Sequence, residues 1–307
     1  MENNIYDLAI LGAGPAGICA AIYATRAKLN TIWLDRKFVQ GGQIVDTYEV
    51  DNYPGLPGIT GLDLGEAMAG HAEKLGLKPK REPVLSVTDE GEIKVIRTKK
   101  NEYHARAGII ACGAPHRHLG IPGEEELGGM GVSYCATCDA AFFQEGTVAV
   151  VGGGNVAVED AILLSRTCKK VYLVHRRDEL RAEKILQDSL FACHNVELVW
   201  DSVPVSVEGE DKVTSLKVRN VKTDEEKEIS VDGVFIAVGI VPGSGKFKDL
   251  VKMDESGYII AGEDGVTSTP GIFAAGDIRT KNLRQVVTAV ADGANAVASV
   301  QRYLMEY

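Results

Sequence analysis

Two cysteines separated by two residues and followed at once by an acid, Cys135-Ala136-Thr137-Cys138-Asp139, are the residues of this 307-residue chain best placed to do chemistry. That spacing lets two sulfurs reach bonding distance, and a thiolate near the start of a turn or helix has a lowered pKa. The pair can therefore cycle between dithiol and disulfide. Reducing a disulfide consumes two protons with its two electrons, and Asp139 stands where a carboxyl can pass a proton to or from a thiolate. The same aspartate is also a favoured helix cap. Cys19, Cys112, Cys168 and Cys193 lack such spacing and read as buried thiols. No second pair at knuckle spacing completes a zinc site with Cys135 and Cys138.

A dithiol needs a source of electrons, and two glycine turns supply places for carriers. The first is Leu8-Ala9-Ile10-Leu11-Gly12-Ala13-Gly14-Pro15-Ala16-Gly17, and the second is Val148-Ala149-Val150-Val151-Gly152-Gly153-Gly154-Asn155-Val156-Ala157. Each is an apolar strand, a glycine turn and a helix in the order that cradles a pyrophosphate. They are offset by 140 residues, and the register continues: Thr31-Ile32-Trp33-Leu34-Asp35-Arg36 aligns with Val171-Tyr172-Leu173-Val174-His175-Arg176. This is an internal repeat. Gly12 and Gly152 permit the tight turn, Gly14 and Gly154 let backbone amides approach phosphate, and Gly17 or Ala157 lets helix pack on strand.

The copies differ at the position that touches the adenosine ribose. Asp35 accepts hydrogen bonds from ribose hydroxyls and repels a 2'-phosphate, which suits FAD or NAD. The second copy has His175, then Arg176, Arg177 and Arg181, a cationic group that predicts NADP, because arginine meets phosphate oxygens in bidentate fashion.

The elements that must position these residues follow from patterning. After the first turn come two loops, Gly41-Gly42-Gln43-Ile44 and Asp51-Asn52-Tyr53-Pro54-Gly55, then a helix around Asp63 to Leu75. Alternation around 83–87, 92–98 and 102–105 predicts a small antiparallel sheet, followed by a separate buried run, Ala107 to Ala114. That run is echoed by Gly233 to Ile240, so each repeat has its own closing strand. Pro and Gly cluster near 115–126 and 241–247 and mark linkers. The tail Thr269 to Asp277 reads as a strand ending in an acid, with Gly293-Ala294 opening or lying in a final apolar helix. The expected fold class is α/β, with two three-layer Rossmann-like dinucleotide-binding domains, the second inserted in the first. The boundaries are 1–115 with 246–307, and 116–245.

A net charge of -10 disfavours nucleic acid as a partner. There is no apolar run of about 18 residues for a membrane span, and Met1-Glu2-Asn3-Asn4 leads into a strand without a basic leader. The expectation is a cytoplasmic enzyme.

At this point the chain resembles the bacterial low-molecular-weight thioredoxin reductases over essentially its whole length. The residues that carry the likeness are the first glycine turn, Gly42-Gln43, Asn52-Tyr53-Pro54-Gly55, Cys135 to Asp139, Gly152 to Asn155, His175-Arg176-Arg177-Asp178 with Arg181, Ala275-Gly276-Asp277 and Arg284-Gln285-Val286. The resemblance implies FAD contacts from Gly12, Gly14, Pro15, Ala16, Gly17, Asp35 and Arg36. Further FAD contacts are implied from Gly41, Gly42, Gln43, Ile44, Asn52, Val84, Cys112 and Gly113. Asp277 would hold the flavin ribitol, with Arg284, Gln285 and Val286 beside the flavin. Gly154, Asn155, Val156, His175, Arg176, Arg177, Arg181 and Ile240 would bind NADPH. Cys138 would face the flavin and Cys135 would exchange with the disulfide of thioredoxin or a thioredoxin-like protein. A homodimer is implied, as is rotation of the two domains about 115–123 and 241–245 between half-reactions.

Three residues depart from the family pattern: Val156 replaces a Ser or Thr, Cys112 replaces a Thr, and Gly243 follows Pro242 where Asn is common. Related flavin disulfide reductases driven by ferredoxin, and dithiol oxidases that use oxygen, are the alternatives on this scaffold, and both are expected to lack the arginine cluster. Peroxide-system reductases carry an extra N-terminal redox domain, and a bare redox sensor needs no paired dithiol.

Overall fold

A computed structural model describes residues 5–37, 39–47 and 49–306; Met1-Glu2-Asn3-Asn4, read above as the lead-in to the first strand, lie outside the described residues. The chain forms two compact units. One comprises Met1–Val45, Ile59–Pro115 and Val241–Tyr307, the other Asp46–Gly58 and His116–Ile240. The segment 46–58 thus clusters with the second unit, and 241–245 with the first.

The first unit is built on a seven-stranded sheet in the order β3-β2-β1-β6-β5-β4, with β15 also paired to β6. Its strands are β1 (Ile5–Leu11), β2 (Thr31–Asp35), β3 (Lys80–Arg81), β4 (Val84–Glu90), β5 (Ile93–Thr98), β6 (Glu102–Ile110) and β15 (Ile272–Ala274). Leu8 to Leu11 of β1 read as a continuous apolar run because both faces of the strand are covered there. Leu8 and Ile10 pack against α1 (Pro15–Arg26), α2 (Gly61–Lys74) and α6 (Val286–Glu306), while Ala9 and Leu11 pack against a layer that includes Val87, Phe247 and Ile259. Each fully buried aliphatic side chain of this kind contributes about 1.5–3 kcal/mol.

The sequence divides 102–105 from 107–114, whereas the structure makes one nine-residue strand of 102–110. The reason is a change of neighbours along β6. Its first half pairs antiparallel with β5, its last three residues pair parallel with β15, and β1 runs parallel along its other edge. Polar alternation at one end and an all-apolar run at the other are both correct readings of a single strand.

Helix α6 begins seven residues before Gly293, so that glycine lies inside it. A Cβ there would come within 2.2 Å of the Ala16 carbonyl on α1, which explains why only glycine allows this helix crossing.

The second unit repeats the plan. A parallel five-stranded sheet runs β10-β9-β8-β14-β7, made of β7 (Val132–Ser133), β8 (Thr147–Val151), β9 (Lys170–Val174), β10 (Val196–Val199) and β14 (Gly233–Ile236). Val148 and Val150 face α4 (Asn155–Ser165) and α5 (Lys184–Phe191). Ala149 and Val151 face an antiparallel sheet of β11 (Ser202–Gly209), β12 (Val213–Asn220) and β13 (Glu226–Ser230). Helices, parallel sheet and antiparallel sheet give the expected three layers of an α/β fold.

Candidate active site

β7 delivers the chain to α3 (Ala136–Asp139), a single turn whose N-cap is Cys135. Ala136 is buried beside Val148 and Val150 and anchors the turn to the parallel sheet. Cys135 and Cys138 form a disulfide with Cα atoms 5.3 Å apart. The Cys138 N–H donates to Cys135 Sγ at 3.2 Å. A donor aimed at one sulfur favours negative charge on it, so Cys135 is the member better suited to be a thiolate.

Asp139 closes the turn. One carboxylate oxygen accepts from Ser133 Oγ at 2.5 Å, and the other is buried with no hydrogen-bond partner. Burial pushes the Asp139 pKa up, and the Ser133 hydrogen bond partly opposes this. A carboxyl held protonated closer to neutrality is matched to proton transfer.

In the first unit, the turn after β1 is fixed from both sides. Gly12 has φ +117°, and a Cβ on it would lie 2.3 Å from the Ala111 carbonyl. Trp33, fully buried on β2, donates from Nε1 to the Gly12 carbonyl at 2.9 Å. Gly14 caps α1 without a side-chain hydrogen bond, and Pro15 follows, so the first-turn amides are free to meet an anion. Gly41 N–H donates to Ala13 at 2.8 Å, and a Cβ on Gly42 would lie 3.0 Å from Gly14 Cα. The two glycine loops therefore line one narrow groove.

Other expected residues of this unit gather on the same scaffold. Asp35 ends β2, and burial raises its pKa against the neighbouring Arg36 and Lys37 amides. Gln43 Nε2 donates to the Ala114 carbonyl at 3.1 Å, close to Gly113 at φ +66°. Ile44 and Val84 are buried, and the Val84 carbonyl accepts from Lys246 Nζ. Cys112 donates to the Leu11 carbonyl at 3.4 Å, and burial pushes its thiol up. Asp277 has a buried oxygen without a partner, and burial raises its pKa. Arg284 has a buried Nε without a partner and stacks 4.0 Å over Tyr258. Gln285 and Val286 lead into α6. Asn52 lies in the segment 46–58, which clusters with the second unit.

In the second unit, a cavity of about 310 Å³ is lined by Arg176, Arg177, Asp178, Glu179, Leu180, Arg181, Asp201, Val221 and Lys222. The Arg181 N–H donates to the Gly153 carbonyl at 2.7 Å, which ties the basic loop to the glycine turn. Gly154 caps α4 with nothing within 4 Å of a Cβ built on it. Asn155 is braced by Glu183, Val156 is 55% exposed, and Ile240 bridges to His116.

His175 does not line the cavity. The residue is 4% exposed, a Cβ on Gly153 would lie 2.3 Å from its ring, and Nε2 is buried without a partner. Burial lowers its pKa, so it is a neutral packing group beneath the turn and not a fourth cation. Sequence reading places it with the arginines because they are neighbours in the chain. It also overlooks Lys222, which bridges Asp178 at 2.9 Å and Asp201 at 3.0 Å.

The comparisons with known proteins agree with this geometry. A family model described as pyridine nucleotide-disulphide oxidoreductase matches residues 6–293. The chain belongs to this family. Thioredoxin reductase of Listeria innocua is 48% identical over 99% of this chain and 96% of its own length, and that of Bacillus subtilis 46% over the same shares. The crystal structure of a thioredoxin reductase from Streptococcus pyogenes superposes with a TM-score of 0.95 at 45% identity, covering 100% of both chains. Like the family pattern, the chain pairs a disulfide with two nucleotide-type turns. Among the described residues no helix is long and apolar enough to cross a membrane, and no group of three or more His, Cys, Asp or Glu could hold a metal ion.

Proposed function

We propose that the chain is a thioredoxin reductase in which NADPH reduces FAD, FAD reduces the Cys135–Cys138 disulfide, and the dithiol reduces thioredoxin or a thioredoxin-like protein. The observation that carries this reading is that disulfide, with a buried acid beside it, in a chain similar to curated thioredoxin reductases over nearly its whole length.

The residues fit both cofactors. The Gly14 and Gly42 groove suits a pyrophosphate, and the unpartnered buried atoms of Asp277 and Arg284 suit a polar ligand such as a ribitol chain and flavin ring. Residues 1–115 with 246–307 would form the FAD-binding domain and 116–245 the NADPH-binding domain. The open Gly154 amide end and the guanidiniums of Arg176, Arg177 and Arg181 suit NADPH and its 2'-phosphate. Flavin, when bound, supplies a carrier competent in both hydride and thiol chemistry.

The protein's own part is thiol exchange. The Cys135 thiolate, stabilised by the Cys138 N–H, attacks one sulfur of the partner disulfide. A bond forms between Cys135 and the partner, the partner's S–S bond breaks, and its leaving thiolate takes the Asp139 proton. Cys138 then gives its proton to Asp139 and attacks Cys135 Sγ, which restores the internal disulfide and releases the second partner thiolate. We place this activity in the cytoplasm, and in a homodimer as the family resemblance implies.

An anaerobic NADPH titration of the yellow enzyme, followed by oxidised thioredoxin, tests the reading. NADPH should bleach the colour and thioredoxin should restore it. Bleaching by reduced ferredoxin or dithionite alone would reject NADPH as donor. In Cys135→Ser, bleaching should persist without recovery.

A further inference from the structure

Ser133 is the last residue of β7, 5% exposed, and held in place by parallel pairing of β7 with β14. Its hydroxyl donates to Asp139 Oδ2 at 2.5 Å, and its oxygen accepts from the Cys135 N–H at 3.0 Å. One side chain therefore spans the acid and the backbone of the cysteine whose sulfur accepts from the Cys138 N–H. Asp139 Oδ1 is left free of hydrogen bonds, so a proton on that oxygen has no competing acceptor. A carboxyl fixed by one oxygen and free at the other presents its proton in one direction.

We propose that Ser133 is a positioning residue for thiol exchange: it holds Asp139 against the Cys135 backbone so that the free carboxyl oxygen delivers and recovers the proton of the dithiol. The inference rests on the reading of Asp139 as the acid. In the exchange written above, the proton leaves Asp139 for the partner's first thiolate and returns to it from Cys138, so protons and electrons balance without a further reactant.

The surroundings explain why a neutral anchor is used. Asp139 lines a cavity of about 520 Å³ together with Phe142, Phe143 and the charged Glu145, Lys212 and Asp232. Helix α4, packed against α3, carries Glu159 and Asp160. None of these charges is hydrogen-bonded to the Asp139 carboxyl, which takes its one side-chain hydrogen bond from the Ser133 hydroxyl. Burial raises the Asp139 pKa and the Ser133 donation lowers it. Removing the hydroxyl should therefore move the acid's titration to higher pH while loosening its aim.

The test is single-turnover reduction of oxidised thioredoxin by pre-reduced enzyme between pH 6 and 9, in wild type, Ser133→Ala, Asp139→Asn and the double variant. Asp139→Asn should slow exchange by about 100-fold, the scale of general acid catalysis. Ser133→Ala should slow it by about 10-fold, a loss of about 1.4 kcal/mol, and displace the high-pH limb upward. In the Asp139→Asn background, Ser133→Ala should add nothing. Ser133→Thr should restore rate and pH profile where the isosteric Ser133→Val does not, a pair that also serves if Ser133→Ala folds poorly. Equal slowing by Ser133→Ala with or without Asp139, or Val performing as well as Thr, overturns the proposal alone. An Asp139→Asn enzyme with unchanged rate and profile removes the acid reading itself.

Discussion

The two glycine turns share a plan, yet the charges around them are arranged in opposite ways. In the first unit, Arg279 makes two hydrogen bonds to Asp292, at 2.8 and 2.7 Å, Lys281 adds a third at 2.9 Å, and the Gly276 N–H a fourth at 2.9 Å. Arg279 and Asp292 are 2% exposed and Lys281 is 4% exposed. This cluster pins both flanks of Asp277. In the second unit, Arg176, Arg177 and Arg181 are exposed around an open cavity, and among the described residues none of the three guanidiniums is held by a carboxylate. Interlocked buried charges suit a ligand that stays, because they leave the surrounding loop one conformation. Exposed guanidiniums free of carboxylate partners suit one that comes and goes, because no ion pair must be broken to admit a phosphate.

Asp292→Asn is the most severe way to break this contrast. Removing one member of a buried ion cluster costs about 3–5 kcal/mol, and the loss should fall on the first unit. The chain has two tryptophans, Trp33 in that unit and Trp200 in the other. In single-tryptophan backgrounds the Trp33 unfolding midpoint should drop strongly while Trp200 barely moves; equal shifts would show that the units share one stability. Next in size, Arg176→Ala with Arg177→Ala should weaken NADPH binding by about 100-fold, near the worth of two charge-assisted hydrogen bonds. Calorimetry should find NADH binding nearly unaltered and the melting temperature unchanged, whereas parallel losses for NADH and NADPH would refute a 2'-phosphate role.

A subtler case is Asp160 on α4, whose pKa is pushed up to about 7 by burial and by Glu159. The unfolded chain releases this proton near pH 4, the folded chain near pH 7. Its ionisation therefore destabilises the fold increasingly as pH rises through that window, and fully above it. Asp160→Asn should raise the melting temperature at pH 8 and leave it almost unchanged at pH 4; an equal gain at both would place the effect elsewhere. Smallest, Val156→Thr should lower the NADPH KM by about 5-fold, one hydrogen bond of about 1 kcal/mol. No change in KM would mean that position 156 lies away from the pyrophosphate.

Much of this was legible in the chain because its signals are local. Gly12, Gly14, Gly152 and Gly154 announce their turns, buried runs announce parallel strands, and the spacing of Cys135 and Cys138 announces a disulfide. His175 follows Val174, the last residue of β9, and chain adjacency to the arginines says nothing about which way its side chain turns; the structure buries it beneath the glycine turn. The antiparallel sheet of β11, β12 and β13 has only mixed patterning: in β13, Glu226, Lys227 and Glu228 are all exposed although alternate residues face opposite sides, and only Ile229 is buried. Asp292 and Ser133 are ordinary residues in sequence. Their importance comes from partners 13 and 6 positions away, respectively, brought close by tertiary packing.

The crossing of α6 on α1 at Gly293 has a consequence for synthesis. Helix α1 begins at residue 15 and its mate ends at residue 306, so the central sheet's helical cover is complete only when residues as far as 306 have left the ribosome. In the second unit, by contrast, β7 to β14 and α3 to α5 lie between residues 132 and 236 and can pair while translation continues. For much of synthesis, Leu8, Ile10 and Trp33 therefore form an apolar surface awaiting its last layer, which makes the nascent first unit the part of this protein most in need of a chaperone.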